Sequence, residues 1–157
     1  MILYHSSYME ISQPDLKHSR AANDFGRGFY TTPTYEQAVK WCAKFRLFGK
    51  EAVISRYEFN VRAFNELKVL SFEGYTEEWL DLIQICRSGQ EPSNYDLVVG
   101  GVTNDDVFNT VELYFQKLID KSEAVSRLRY EKPNLHICFR SERALKEYLR
   151  FEGSEVV

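Results

Sequence analysis

The stretch Arg20–Ala21–Ala22–Asn23–Asp24–Phe25–Gly26–Arg27–Gly28–Phe29–Tyr30–Thr31–Thr32 decides how this chain is read. Glycines two apart let a backbone turn tightly or approach another group closely. The Phe29–Tyr30–Thr31–Thr32 run behind them is aromatic and β-branched, the composition of a strand. Upstream, Ile2–Leu3–Tyr4 is a short strand ending in His5–Ser6–Ser7. The pattern predicts a glycine loop that delivers Tyr30 on a strand, with His5 on an adjacent strand and both side chains lining one pocket. Such a pair would hold a planar ring and hydrogen-bond its ribose, the profile of a nucleotide-binding enzyme.

Working outward, Ser12 to Asn23 is polar and reads as a loop. Thr34 with Gln37 matches a capping box, and Ala38, Trp41, Cys42 and Phe45 recur at helical spacing, giving a helix to about Phe48 stopped by Gly49. Ala52–Phe59 and Leu67–Leu70 follow as strands. A helix from Thr76 to about Ser88 carries Trp79, Leu80, Ile83 and Cys86 inward. Tyr95–Val102 is a buried-strand pattern with a double glycine, Gly100–Gly101. Asp105–Leu118 reads as a helix, and Ser122–Leu128 as a shorter one capped by Ser122. Leu135–Arg140 is expected to be the last strand and Ser141–Leu149 the last helix. Strands interspersed with helices, without repeats or linkers, imply one α+β domain over residues 1–157.

Bulk properties narrow the function. Apolar residues make up 44% of the 157, enough for a packed core and against disorder. A net charge of −3 gives no global attraction to nucleic acid or anionic membranes, although Arg127, Arg129 and Lys132 form a local basic cluster. Three widely spaced cysteines, Cys42, Cys86 and Cys138, suggest neither a disulfide framework nor a zinc site, and no metal is expected. The N-terminus has no signal-peptide pattern and no apolar run approaches ~18 residues, so a cytoplasmic location without membrane association is expected.

Taken one at a time, the marked residues have ordinary uses. A strand-end histidine such as His5 is often a structural hydrogen-bonder, a strand tyrosine such as Tyr30 often packs in a core, and His136 fits a buried strand position. Gly26–Arg27–Gly28 lacks the third glycine and following helix of a dinucleotide fingerprint, and there is no Walker lysine motif. Asn104–Asp105–Asp106 suits a helix cap better than a metal site.

In their order, however, Leu3–Tyr4–His5–Ser6–Ser7, Gly26–Arg27–Gly28–Phe29–Tyr30 and the late strand around His136 resemble the ADP-ribosyltransferase superfamily, in its diphtheria-toxin and poly-ADP-ribose-polymerase branch. Nearly the whole chain is similar to a small bacterial family within it. Arg20 with Asp24–Tyr30, Tyr95–Gly100 with Asp105–Asp106, and His136–Phe139 with Ser141–Leu145 carry that likeness. The resemblance implies two small mixed sheets with flanking helices and NAD, as co-substrate, in the cleft between them. It implies mono-ADP-ribosyl transfer to a protein or nucleic acid, in a bacterial toxin setting where an antitoxin protein would be a partner.

By the same resemblance, His5 holds the adenine-side or nicotinamide-side ribose, with Ser6 or Ser7 offering a further contact, Tyr30 stacks on the nicotinamide, and Tyr35 completes the aromatic wall. Gly28 lets the ligand approach, Arg20 faces the pyrophosphate, and Asp24 orients Arg20 or caps the glycine turn. His136 takes the catalytic position where the active branch carries glutamate, and Asp105 or Asp106 would be alternative carboxylates. Losing that glutamate makes a catalytically silent NAD- or ADP-ribose-binding module the second expectation. A nucleic-acid-modifying enzyme on the same scaffold is the third.

Overall fold

A computed structural model describes residues 1–91 and 94–157. Its elements run β1 (Ile2–Ser7), β2 (Phe29–Thr31), α1 (Tyr35–Leu47), β3 (Val53–Phe59), α2 (Ala63–Glu66), β4 (Val69–Ser71), α3 (Glu77–Arg87), β5 (Leu97–Val102), α4 (Asp105–Phe115), α5 (Lys121–Leu128), β6 (Asn134–Phe139), α6 (Glu142–Tyr148) and β7 (Leu149–Val156). The class is α+β, built on two small sheets. One has the order β1-β3-β7 and is antiparallel throughout. The other, β2-β6-β5-β4, is mixed, because β4 runs parallel to β5.

The sheets meet where β1 passes β2. Tyr4 and Thr32 exchange both backbone hydrogen bonds, at 2.8 and 2.9 Å. This single bridge brings the glycine-loop strand beside the N-terminal strand. Between the sheets lies a core in which Leu3, Tyr57 and Phe59 meet Phe29, Leu97, Ile137 and Phe139. The far side of the mixed sheet is covered by α3, α4 and α5, with Trp79, Leu80, Ile83, Val107, Val111 and Leu128 packed on Val98 and Cys138. Each large apolar side chain buried here stabilises by roughly 1.5–3 kcal/mol. The Trp79 indole is fully buried, and its N–H donates to the Gly101 carbonyl at 2.7 Å. A Cβ on Gly101 would lie 2.7 Å from the Tyr75 ring, so the second glycine of β5 is a packing requirement.

Several local expectations need correction. The Thr34–Gln37 capping box does not form: Thr34 makes no side-chain cap, its N–H instead meets Thr32 Oγ1, and Gln37 turns toward His136. Asp120, not Ser122, caps α5, accepting from Glu123 N at 2.8 Å. The chain ends in a strand rather than a helix, since β7 pairs with β3 along its whole length. A register shift opposite Arg56/Tyr57, next to Gly153, breaks the alternation of β7. That bulge and its exposed polar positions hide the strand from a periodicity reading.

Candidate site at the junction of the two sheets

Pairing builds the site one residue at a time. The β1–β2 bridge sets His5 next to Tyr30, and β2 pairs with β6 through Tyr30↔Cys138 and Thr31↔Ile137, with His136 the next residue along. His5, Tyr30 and His136, far apart in sequence, thus occupy three neighbouring strands. The His5 Nδ1 lies 2.7 Å from the Tyr30 carbonyl oxygen. A carbonyl only accepts, so Nδ1 carries the proton and Nε2 keeps its lone pair. The ring stacks on Phe29 with centroids 4.2 Å apart. Burial, outweighing the Tyr30 carbonyl bond, lowers its pKa to about 4, so the imidazole is neutral at physiological pH.

The side chains of His5 and Tyr30 do not face one another, which corrects the expectation of one shared pocket. Phe29, beneath His5, belongs to the core between the sheets, whereas Tyr30 packs with Phe25 and Cys138 on the helix-covered face. Strand alternation requires this split, because Phe29 and Tyr30 are consecutive. The link between the residues is the Tyr30 carbonyl. The Tyr30 hydroxyl is used inside the protein: it donates to Gly26 O at 2.6 Å and accepts from Phe25 N at 3.0 Å. It therefore latches the glycine loop over its own ring, and burial pushes its pKa well up.

His136 is fully buried on the Tyr30 face. Trp41 from α1 stacks on its ring at 4.1 Å and 20°. Nδ1 lies 3.0 Å from the Asn134 carbonyl, which fixes the proton there, and 3.3 Å from Gln37 Nε2. Nε2 is buried and, among the described residues, has no hydrogen-bond partner. Desolvation lowers the pKa to about 4, against the raising effects of the Asn134 carbonyl and the Asp24 carboxylate. Asp24 is thus the acid that His136 feels; Asp105 and Asp106 lie exposed in the first turn of α4, which Asn104 caps through Val107 N.

The other expected site residues have definite places. Ser6 Oγ donates to Ala38 O at 2.7 Å and pins α1 to β1. Asp24 orients Arg87 rather than Arg20, accepting from Arg87 Nε and Nη2 at 3.1 and 3.0 Å and from Thr103 N and Oγ1, both at 2.8 Å. Arg20 is exposed, and no carboxylate pairs with it among the described residues. Gly28 is explained by packing: an added Cβ would collide with Cys138 Sγ and lie 2.8 Å from Phe139 O. Tyr35 meets Tyr4 edge-on, and Glu155 raises its pKa, so it belongs to the packing of α1 on the three-stranded sheet rather than to the group around His136.

Sequence reasoning missed the groups that hold the loop. Arg87 ties it to α3, and Arg140 reaches Phe25 O and Glu91, whose carboxylate also takes Arg27 N. The sole advance signal was a strand or helix ending in arginine. Among the described residues, no group of three or more His, Cys, Asp or Glu is placed to hold a metal ion, and no helix is long and apolar enough to cross a membrane. Two open surface pockets lie away from this junction: one of about 530 Å³ beside Tyr114 and Leu118, and one of about 560 Å³ beside Phe59 and Tyr148.

Comparison with known proteins adds one finding. The family model described as "Protein of unknown function (DUF3990)" matches residues 1–151. No curated protein and no solved structure matches the chain.

Proposed function

We propose, from the premise that this chain belongs to the DUF3990 family, that it is an NAD-dependent mono-ADP-ribosyltransferase of bacterial toxin type, with an ADP-ribosyltransferase-like fold. The observation that carries the reading is the convergence of His5, Tyr30 and His136 on adjacent strands β1, β2 and β6, at the seam of two small sheets. That is the strand arrangement in which the sequence motifs of that superfamily would assemble a nicotinamide-ribose site.

In this reading NAD supplies the ADP-ribosyl group and nicotinamide leaves. His5, neutral and with its proton committed to the Tyr30 carbonyl, accepts a ribose hydroxyl at Nε2. Tyr30 acts through its carbonyl, which holds the His5 proton, because its ring packs with Phe25 and Cys138 and its hydroxyl is occupied at Gly26 and Phe25. His136 offers a lone pair at Nε2 in place of a carboxylate, once Trp41 moves off its face. Arg20, exposed and paired with no carboxylate among the described residues, faces the pyrophosphate, since a guanidinium fork suits phosphate oxygens. The acceptor is a macromolecule, and an antitoxin protein is the natural regulator.

One observation favours a second reading, a silent NAD- or ADP-ribose-binding module. His136 is roofed by Trp41 and supplies no negative charge to a developing oxocarbenium ion. Incubating the purified protein with labelled NAD and bacterial lysate separates the two. Label on protein or nucleic acid, lost in His5→Ala and His136→Ala, is the expected result. Measurable NAD binding without transfer or hydrolysis selects the silent module, and no NAD binding at millimolar concentration refutes both.

A further inference from the structure

The C-terminal end of α1 carries an unusual surface. Leu47 and Phe48 are 86% and 79% exposed, side by side, and Tyr8 and Met9, after β1, are 48% and 51% exposed. Tyr8 joins the two segments by an edge contact with Phe45 at 6.2 Å. These side chains are held on a rigid support. Lys50 N donates to Phe45 O and Gly49 N to Arg46 O, closing the helix in a Schellman turn with Gly49 at φ +68°. Exposed apolar groups on a rigid, hydrogen-bonded frame mark a contact surface rather than a frayed end.

The charge on this end of α1 has one sign, with Glu10 and Glu51 flanking it. Residues 37–50 contain Lys40, Lys44, Arg46 and Lys50 and no acid, in a chain whose net charge is −3. Among the described residues, none of these four forms an ion pair with a carboxylate, although Glu51 is the next residue. Lys50 Nζ sits 4.5 Å from the Tyr8 ring centroid, and Lys44 Nζ sits 5.0 Å from that of Phe45. Arg20 adds to the positive field at Lys44.

We infer that this face of α1, with Tyr8 and Met9, docks an acidic, amphipathic segment of a partner protein. Carboxylates of the segment would neutralise the lysines while its apolar face covers Leu47 and Phe48. Charge complementarity selects this occupant over the alternatives. A second copy related by a twofold axis would bring two cationic patches together, which costs free energy. Single-stranded nucleic acid binds such sites by stacking bases on open aromatic faces. Here the lysine ammoniums already lie against Tyr8 and Phe45, and Leu47 and Met9 present no ring, so Phe48 alone of these side chains offers an open face, too little for a run of stacked bases. The inference is independent of the chemistry at His136.

The test selects a random twelve-residue peptide library on the purified full chain and measures winning peptides by fluorescence anisotropy. The expected winners combine Asp or Glu with Leu, Ile or Phe. They should bind at least tenfold more weakly to Leu47→Ser/Phe48→Ser and to Lys44→Glu/Lys50→Glu, and at least tenfold more weakly when salt rises from 50 to 500 mM. All four substituted side chains are exposed, so unchanged circular dichroism and melting temperature establish that both variants fold. Winners without acidic residues, winners insensitive to both variants, or no winners would each overturn the inference. So would a dT15 oligonucleotide that binds in their place and loses affinity in the lysine variant, or wild-type dimerisation that Leu47→Ser/Phe48→Ser abolishes.

Discussion

Replacing His136 with glutamine should flatten the acid side of the stability profile, by an amount the burial of the imidazole sets. Folding lowers the His136 pKa from 6.5 to about 4, chiefly by desolvation. Between those values the unfolded chain binds a proton that the folded protein refuses, so folding stability falls as pH falls. The stabilisation is complete above pH 6.5 and is lost progressively down to pH 4. At about 1.4 kcal/mol per pH unit, the interval corresponds to ~3 kcal/mol for this one side chain. His136 is fully buried, so solvent screening does not reduce the figure. Urea unfolding at pH 7.5, 6.5, 5.5 and 4.5 measures it in wild type and His136→Gln. Carboxylate contributions common to both proteins cancel in the difference. The wild type should lose about 2–3 kcal/mol more than the variant between pH 7.5 and 4.5. Parallel profiles would refute the assignment of a buried, neutral imidazole. The same shift moves any His136-dependent activity loss from the ordinary histidine range near 6.5 down to about pH 4.

Gly28→Ala should destabilise by about 2 kcal/mol or more, because its Cβ would enter the space of Cys138 Sγ and Phe139 O; an unchanged melting temperature would show that β2 and β6 can separate freely. Asp24→Asn should cost about 3 kcal/mol by leaving Arg87 short of its main partner, and combining it with Arg87→Met should cost less than the sum of the single changes. Tyr30→Phe should lower stability by about 1–3 kcal/mol by unlatching Gly26 and Phe25, yet weaken NAD binding less than Tyr30→Ala; calorimetry finding equal binding losses would make the hydroxyl the functional group. Trp41→Ala should raise the His136 pKa toward 6.5, as read by NMR titration, and a value still near 4 would show that other groups exclude water from the ring.

Local chemistry made much of this protein legible in its sequence. Strands and helices with strong periodicity, such as β3, α3 and β5, fall where their apolar spacing puts them, because one buried face imposes its period on the residues. The stop of α1 at Gly49 is equally local, since only a residue tolerant of positive φ closes that turn cheaply. The marked histidines and Tyr30 were visible by type and order. What they touch was not. Gly28 reads as room for a ligand until Cys138, 110 residues later, is packed against it. Asp24 reads as a partner for nearby Arg20 until α3 presents Arg87 across the fold. His136 reads as pocket-facing until Trp41 lies on its ring. Periodicity records which face of an element leaves water, but the partner on the other side comes from a distant part of the chain. Only the tertiary structure decides that partner, and with it whether a polar side chain is free for chemistry or already bonded.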